Sequence, residues 1–349
     1  MESNNTIQQM ELEETAQRLQ LLSELDNKSI LITGATGLIG AQLAKTILCY
    51  NRIYNCNIDV IVLGRNKEKI DKLYKGLSVK YIISDIREPI NTVYPIDYII
   101  HCASITSSKA FVNNPVETIC TAIDGTNNIL ELAKEKRIKG FLYTSSLEVY
   151  GITNQCEVTE SDYGFIDFLN VRSSYSESKR MAECLCCAYA SQYGIPIKIV
   201  RLTQTIGSGV EYFDNRVFAQ FARAVIEKKD IVLNTTGQTV RNYCDICDAI
   251  SGIITVLLRG ASGEAYNIAN IETTISIADL AQKICEKYKS TGIHVVYNKP
   301  SNVKLYGYNP EMKICLNTNK IEQLGWKPRY SLDKTIERLV KGLNEKKPL

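Results

Sequence analysis

Tyr175 and Lys179, in the run Tyr175-Ser176-Glu177-Ser178-Lys179, are the two residues whose types and spacing best suit chemistry. On a helix their side chains leave the same face, one turn apart. A phenol ordinarily titrates at about pH 10, too high for a useful base at neutrality. An ammonium held close favours the phenolate. The expectation is therefore that Lys179 lowers the Tyr175 pKa and lets the phenolate take a proton from a substrate hydroxyl. Both residue types are common, so the pair gains meaning only from the elements that position it.

Those elements begin upstream. Ser29–Thr33 reads as a short apolar strand, followed at once by Gly34-Ala35-Thr36-Gly37-Leu38-Ile39-Gly40 and a helical run to about Leu48. A strand, a glycine turn and a helix N-terminus make the cradle that a dinucleotide pyrophosphate needs. Gly34 permits the tight turn, Gly37 lets backbone N–H groups approach the phosphates, and Gly40 lets helix and strand pack closely. A second strand, Val60–Leu63, ends at Gly64-Arg65-Asn66. With Arg65 there and no acid at the tip, both NAD and NADP stay open. The third strand, Tyr81–Ile86, brings Asp85 within reach of an adenine amine. Strands at 96–103, 140–146 and 197–202 alternate with helices over 117–136 and 175–192. That alternation implies a parallel, doubly wound α/β sheet with its ligand at the C-terminal strand ends. The pattern loosens after Gly207 and reads as a smaller substrate lobe. The expected division is a helical extension over 1–27, a dinucleotide domain over 28–203 and a substrate lobe over 204–349, with some interleaving.

Composition narrows the class. The chain has 349 residues, 45% hydrophobic and 23% charged, with a formal net charge of +3. No Lys/Arg run is long enough to follow a phosphate backbone, so nucleic acid is not an expected partner. No apolar run approaches a membrane span, and the polar stretch Met1–Gln9 does not resemble a signal peptide. A cytoplasmic location is expected. The twelve cysteines are scattered and read as buried thiols, with Cys184 to Cys187 on one side of an amphipathic helix. Their spacing falls short of a zinc motif, and with only two histidines no metal site is expected. Thr6–Leu25 reads as one helix with a partial leucine stripe from Leu12, Leu19, Leu22 and Leu25.

On these residues the chain resembles the extended short-chain dehydrogenase/reductase family, the NAD-dependent epimerases and dehydratases of nucleotide sugars. The resemblance rests on Gly34-x-x-Gly37-x-x-Gly40, Asp85-Ile86, His101-x-Ala103-Ser104, Ser145-Ser146-x-Glu148-Val149-Tyr150-Gly151, Tyr175-x-x-x-Lys179, Arg201, Arg241 and Leu324-Gly325-Trp326. It implies a Rossmann-type sheet, a nucleoside-diphosphate sugar substrate and a homodimer through helices near Tyr175. It also implies roles. Tyr175 is the base at the C4 hydroxyl, Lys179 binds the nicotinamide ribose, and Ser146 hydrogen-bonds the 4-oxygen. Gly34, Thr36, Gly37, Leu38, Ile39, Gly40, Arg65, Asp85, Ile86, Ala103 and Lys179 face the cofactor. Ser104, Arg172, Gln204, Arg216 and Arg241 face the substrate, with Arg241 at its diphosphate.

Within the family, Arg172-Ser173-Ser174-Tyr175-Ser176-Glu177-Ser178-Lys179-Arg180, Asp214-Asn215-Arg216-Val217 and Asn114-Pro115-x-x-Thr118 look like the UDP-glucuronate decarboxylases. In that reading Arg172 holds a C6 carboxylate and Glu148 handles the proton at C5. Epimerases, 4,6-dehydratases and 4-keto-sugar reductases share most of the same motifs and are the alternatives. A dinucleotide-binding module without catalysis is the alternative of a different class. Four residues depart from the pattern: Gly64 for the NAD acid, Ala122 for an active-site Asn, Gln204 in the Arg-x-x-Asn position, and Leu147.

Overall fold

Ser29–Thr33 is buried at every position, as a strand covered on both faces must be. The computed structural model describes residues 6–153, 155, 157–298 and 311–348. Met1–Asn5, at the start of the polar stretch, and Cys156 lie outside the described residues. The strands, in chain order, are β1 (Ser29–Thr33), β2 (Asp59–Gly64), β3 (Lys80–Ile83), β4 (Tyr98–His101), β5 (Gly140–Ser146), β6 (Glu157–Val158), β7 (Ile197–Leu202), β8 (Gln204–Ile206), β9 (Ile231–Leu233), β10 (Val240–Asp245), β11 (Ala265–Ile268), β12 (Asn270–Ser276), β13 (Val295–Tyr297) and β14 (Lys313–Leu316). The helices are α1 (Ile7–Arg18), α2 (Leu38–Tyr54), α3 (Lys67–Leu73), α4 (Ser108–Asn113), α5 (Pro115–Lys136), α6 (Ser174–Tyr193), α7 (Val217–Glu227), α8 (Ile246–Arg259), α9 (Ile277–Lys287), α10 (Asn319–Glu322) and α11 (Leu332–Glu345).

Seven parallel strands form the main sheet in the order β11-β7-β5-β4-β1-β2-β3. The order reverses between β1 and β4, which opens the ligand crevice of a Rossmann-type sheet at their C-terminal ends. One face is covered by α2 and α8, with Leu43, Ile47, Ile250 and Ile253 fully buried. The other is covered by α5 and α6 through Ile129, Leu130, Ala182 and Cys186. Local signals stop the helices where the site needs them. Gly37 caps α2 in an extended conformation, Pro115 opens α5, and Gly194 ends α6 in the left-handed region.

Five further strands build a smaller sheet, β12-β10-β14-β6 with β8 beside β10, and β9 and β13 pair as a separate two-stranded sheet. Its own core lies among α7, α9 and α11. The two parts exchange segments: β11 joins the main sheet from beyond residue 204, while β6 joins the small sheet from before it.

Two local expectations change. Thr6–Leu25 is not one helix. α1 ends at Arg18, Leu19 turns the chain (φ −88°, ψ 59°), and Gln20–Leu25 continues as a 3-10 helix. The break lets Leu12, Leu19, Leu22 and Leu25 all enter the core that α2 and α8 share. Nor do Cys184 to Cys187 share one side, since Cys186 is buried while Cys184 and Cys187 are exposed. Successive helical positions are about 100° apart, so neighbours in such a run diverge.

α1 also carries a buried acid. Glu11 is fully buried, and its carboxylate accepts from the Ser208 hydroxyl at 2.5 Å and from the Ser208 amide at 3.4 Å. On the same loop Lys346, beyond α11, donates to the carbonyls of Ser208 and Val210 at 2.8 and 2.9 Å. Burial pushes the Glu11 carboxyl from 4.5 up to about 7; the Asp245 charge adds to this, while Ser208 and Arg338 oppose it. A carboxyl raised by folding favours the native state below its unfolded value, and that advantage is lost as pH climbs through the folded value. The predicted contribution is about 3 kcal/mol, lost between about pH 4.5 and about pH 7. Glu11→Gln removes this loss, so thermal melts at about pH 5 and about pH 8 should differ less for the variant than for the parent. Equal differences would mean that Glu11 titrates as it would in water.

Candidate active site

Tyr175 is the second residue of α6 and is buried, 7% exposed. Ser146 stands at the C-terminal end of β5, close enough to the phenol to pull its pKa down. The neighbouring Ser145 hydroxyl is buried and finds no partner among the described residues, so the two serines are not equivalent. Ser146 Oγ also accepts from the Glu148 amide at 3.2 Å, which caps the 3-10 turn Leu147–Tyr150 and fixes where Glu148 leaves the chain. The Phe111 ring from α4 stacks on Tyr175, with centroids 4.3 Å apart and planes 9° from parallel. α4 is held there by Ser174 Oγ, which donates to the Phe111 carbonyl at 2.9 Å.

The electrostatics differ from the helix-spacing expectation. Burial pushes the Tyr175 phenol well above its ordinary range, and the Glu148 charge pushes it further; Ser146, Arg172 and Arg216 pull it back. Lys179 lies one turn further along α6. Its ammonium, 3% exposed, donates to the Thr144 carbonyl of β5 at 2.8 Å and lies over the Tyr143 ring at 4.6 Å, against 5.9 Å to the ring of Tyr175. Burial lowers its pKa from 10.5 to about 8. The ammonium's hydrogen bond thus goes to the Thr144 carbonyl, with the Tyr175 ring the more distant of the two tyrosines beside it. Side chains four apart on a helix share a face without having to touch.

Glu148 and Arg172 meet face to face. Nη1 and Nη2 of Arg172 donate to Oε2 and Oε1 of Glu148, each at 3.1 Å, and Ser176 Oγ donates to Oε2 at 3.0 Å. The guanidinium also lies over the Phe111 ring at 4.7 Å. Arg172, expected to face a substrate carboxylate, thus faces a carboxylate of its own chain.

The glycine turn has the shape of a dinucleotide cradle. Gly34 has φ +65°, and a Cβ there would lie 2.7 Å from the Ala103 nitrogen; one at Gly40 would lie 2.5 Å from the Gly34 carbonyl oxygen. At Gly37 a Cβ would meet only that oxygen, at 3.4 Å, so its missing side chain leaves space outside the protein. Thr36, Leu38 and Ile39 flank the turn half-buried. Ala103 is fixed by its amide, which donates to Thr33 Oγ1 at 3.1 Å. Asp85, just past β3, is gripped by Arg87 at 2.9–3.1 Å and approached by Arg65 at 3.6 Å. Arg87 in the first place, and Arg65 with it, hold the Asp85 carboxyl at about 2. Ile86 packs under this loop against α5, where a Cβ on Gly125 would approach it to 3.0 Å.

On the substrate side, Gln204 sits on β8 beside Tyr243, and Ser104 Oγ donates to the Ile105 carbonyl at 3.4 Å. Arg216 forks onto Asp214 at 2.6–3.1 Å. Arg241, on β10, has a buried Nε that finds no partner among the described residues, while its Nη2 reaches only the Met312 sulfur at 3.6 Å. A guanidinium so placed suits an anion. Arg201, from the family pattern, instead pairs with Glu183 at 2.7 Å and ties β7 to α6. Ala122 is buried in α5. Sequence reading missed Phe111, Ser176 and the Thr144 carbonyl. Ser176 was adjacent to a motif residue, but nothing in sequence marks Phe111.

The family model described as the NAD dependent epimerase/dehydratase family matches residues 30–269. The chain is 31% identical over 311 residues to UDP-glucuronic acid decarboxylase 6 of Arabidopsis thaliana, covering 88% of this chain and 86% of that one. It is 27% identical over 322 residues to UDP-glucuronic acid decarboxylase 1 of Danio rerio, covering 92% and 74%. Among solved structures it is similar to UDP-glucose 4-epimerase from Thermotoga maritima (TM-score 0.77, 20% identity, 91% of this chain and 99% of that one). It is also similar to UDP-glucuronic acid 4-epimerase from Bacillus cereus (TM-score 0.76, 24% identity, 91% and 99%). At these identities the structural likeness carries the fold.

The second and third glycines of the cradle separate fold from binding. Gly37→Ala should change unfolding stability by no more than about 1 kcal/mol while weakening NAD affinity about tenfold or more. Gly40→Ala should lower thermal stability as well, because its Cβ meets backbone. Melts with and without NAD check both, and unchanged NAD affinity in Gly37→Ala would show that the cradle holds no pyrophosphate.

Proposed function

The chain belongs to the NAD dependent epimerase/dehydratase family, and from that premise we propose that it is an enzyme that decarboxylates UDP-glucuronate through a 4-keto sugar. One observation carries this reading: the Glu148–Arg172 pair lies over the Phe111 ring that stacks on Tyr175, with Ser146 capping the turn of Glu148, in a chain 31% identical to a UDP-glucuronic acid decarboxylase over most of its length. NAD, when bound, would supply a reversible hydride acceptor for C4.

The chain's own residues supply the rest. Tyr175 takes the proton from the C4 hydroxyl and gives it back to O4, with Ser146 hydrogen-bonded to that oxygen. In the bound state Lys179 holds the nicotinamide ribose, and the glycine cradle holds the pyrophosphate against the N-terminus of α2. Arg241 meets the substrate diphosphate, with Ser104, Gln204 and Arg216 nearby. A 4-ketone makes the C6 carboxylate that of a β-keto acid. The C5–C6 bond breaks, carbon dioxide leaves, and the electron pair rests in the C4–C5 enolate. Glu148 relays one solvent proton to C5, where that pair forms the new C–H bond.

The working form is proposed to be a homodimer. Val116 and Ile119 on α5 and Met181 on α6 are exposed, as a helix pair awaiting a second copy would leave them. The proposed compartment is the cytosol, where the free thiols of the described cysteines stay reduced. No helix among the described residues is long and apolar enough to cross a membrane.

Tyr175→Phe should lower turnover of UDP-glucuronate by about a hundredfold or more while UDP-sugar binding is kept, read by mass spectrometry of the products and by calorimetry. A near-normal rate in that variant would remove Tyr175 from the chemistry. If the parent leaves UDP-glucuronate intact but converts a neutral hexose, the decarboxylase assignment goes and the family chemistry stays.

A further inference from the structure

We infer that Arg172 is a positioning residue for Glu148, not a receptor for the substrate's carboxylate. The inference rests on the reading above that Glu148 handles the C5 proton. Arg172 lies in the single 3-10 turn Val171–Ser173 that leads into α6. Its amide donates to Asn170 Oδ1 at 3.0 Å, and Ser173 Oγ donates to the Asp167 carbonyl at 2.6 Å, so the turn is tied at both ends. The guanidinium then grips both oxygens of Glu148 at 3.1 Å, and both side chains are only 12% exposed. A two-pronged pairing out of water is among the most geometrically defined of polar contacts.

For a sugar carboxylate to take this fork, Glu148 would have to leave it. Glu148 would lose two charge-assisted hydrogen bonds in a half-dry site, with only the Ser176 hydroxyl left among the contacts above. The fork also does a second job. It lies over Phe111, and Phe111 stacks on Tyr175, so one side chain sets both the acid and the aromatic plate behind the phenol. Glu148, Arg172 and Phe111 come from three different elements: the turn after β5, the turn before α6, and α4. Ser174 and Ser176 of α6 reach Phe111 and Glu148 one each, whereas Arg172 touches both the acid and the ring.

The test is a double-mutant cycle on the full chain with NAD, using Glu148→Gln, Arg172→Ala and their combination, with Arg172→Lys as the conservative variant. For UDP-glucuronate, Arg172→Ala should lower kcat by roughly ten- to a hundredfold and change KM by less than about threefold. The double variant should be no slower than the worse single one, because the two changes remove one unit. Arg172→Lys should recover part of kcat. In deuterated water, Arg172→Ala should release more 4-keto pentose and reduced nicotinamide per turnover, a leak that a residue serving only stability would not produce. A KM raised about tenfold or more with kcat near normal, and additive losses, would give the fork to the substrate and overturn the inference. Thermal melts of the same four proteins report the pair without turnover: non-additive shifts of a few degrees (about 2–4 °C) support it, and strict additivity rejects it. Should UDP-glucuronate not be converted, the melts still decide the pairing, while the substrate reading fails separately.

Discussion

Removing the Lys179 ammonium and the Tyr175 phenol from water is the constraint on which the rest of the structure depends. An ammonium buried to 3% exposure costs several kcal/mol unless its protons are used. One proton goes to the Thr144 carbonyl, and the Tyr143 ring adds its face. Burial moves both groups away from their charged forms, bringing the lysine down to about 8 and carrying the phenol upward. In this arrangement they are two buried groups side by side, not an ion pair. A bound sugar hydroxyl and a nicotinamide ribose are the polar partners that would complete them.

The fold serves this requirement from several directions. β5 brings the Thr144 carbonyl and Ser146 to the same sheet end, one for the lysine and one for the phenol. The cap at Ser146 starts the turn that aims Glu148, and the turn before α6 returns Arg172 to meet it. The exchange of β6 and β11 between the two sheets couples the small lobe to the large one. α1 reinforces that coupling, since Glu11 reaches Ser208 on the loop after β8 while the leucines beside it sit in the main core.

Much of this was legible in sequence because it follows from periodicity and turn chemistry. The apolar run at Ser29–Thr33, the three glycines after it and the alternation that followed define the parallel sheet and where its crevice opens. Tyr175 and Ser146 could be named because a short motif sets their spacing. What stayed hidden depends on distances through space between residues far apart in the chain. Nothing local says that Arg172 reaches Glu148, that Phe111 stacks on Tyr175, or that Lys179 turns to a backbone carbonyl. Leu19 gave no warning of the break after α1, because leucine favours helices. Burial of Leu19 and of the two stripe positions after it, Leu22 and Leu25, a tertiary effect, decides the matter there. Arg201 shows the reverse case, a motif residue whose visible job is a buried pair with Glu183.

The most direct measurement follows hydrogen at two carbons in one turnover. UDP-glucuronate labelled with deuterium at C4 is converted in ordinary water, the unlabelled sugar is converted in deuterated water, and both products are read by NMR. If the phenol and the carboxylate divide the work as described, the C4 label stays at C4 in the pentose, and a single solvent deuteron appears at C5 on one face. Loss of the C4 label to solvent, or a C5 deuteron scrambled over both faces, would contradict that division.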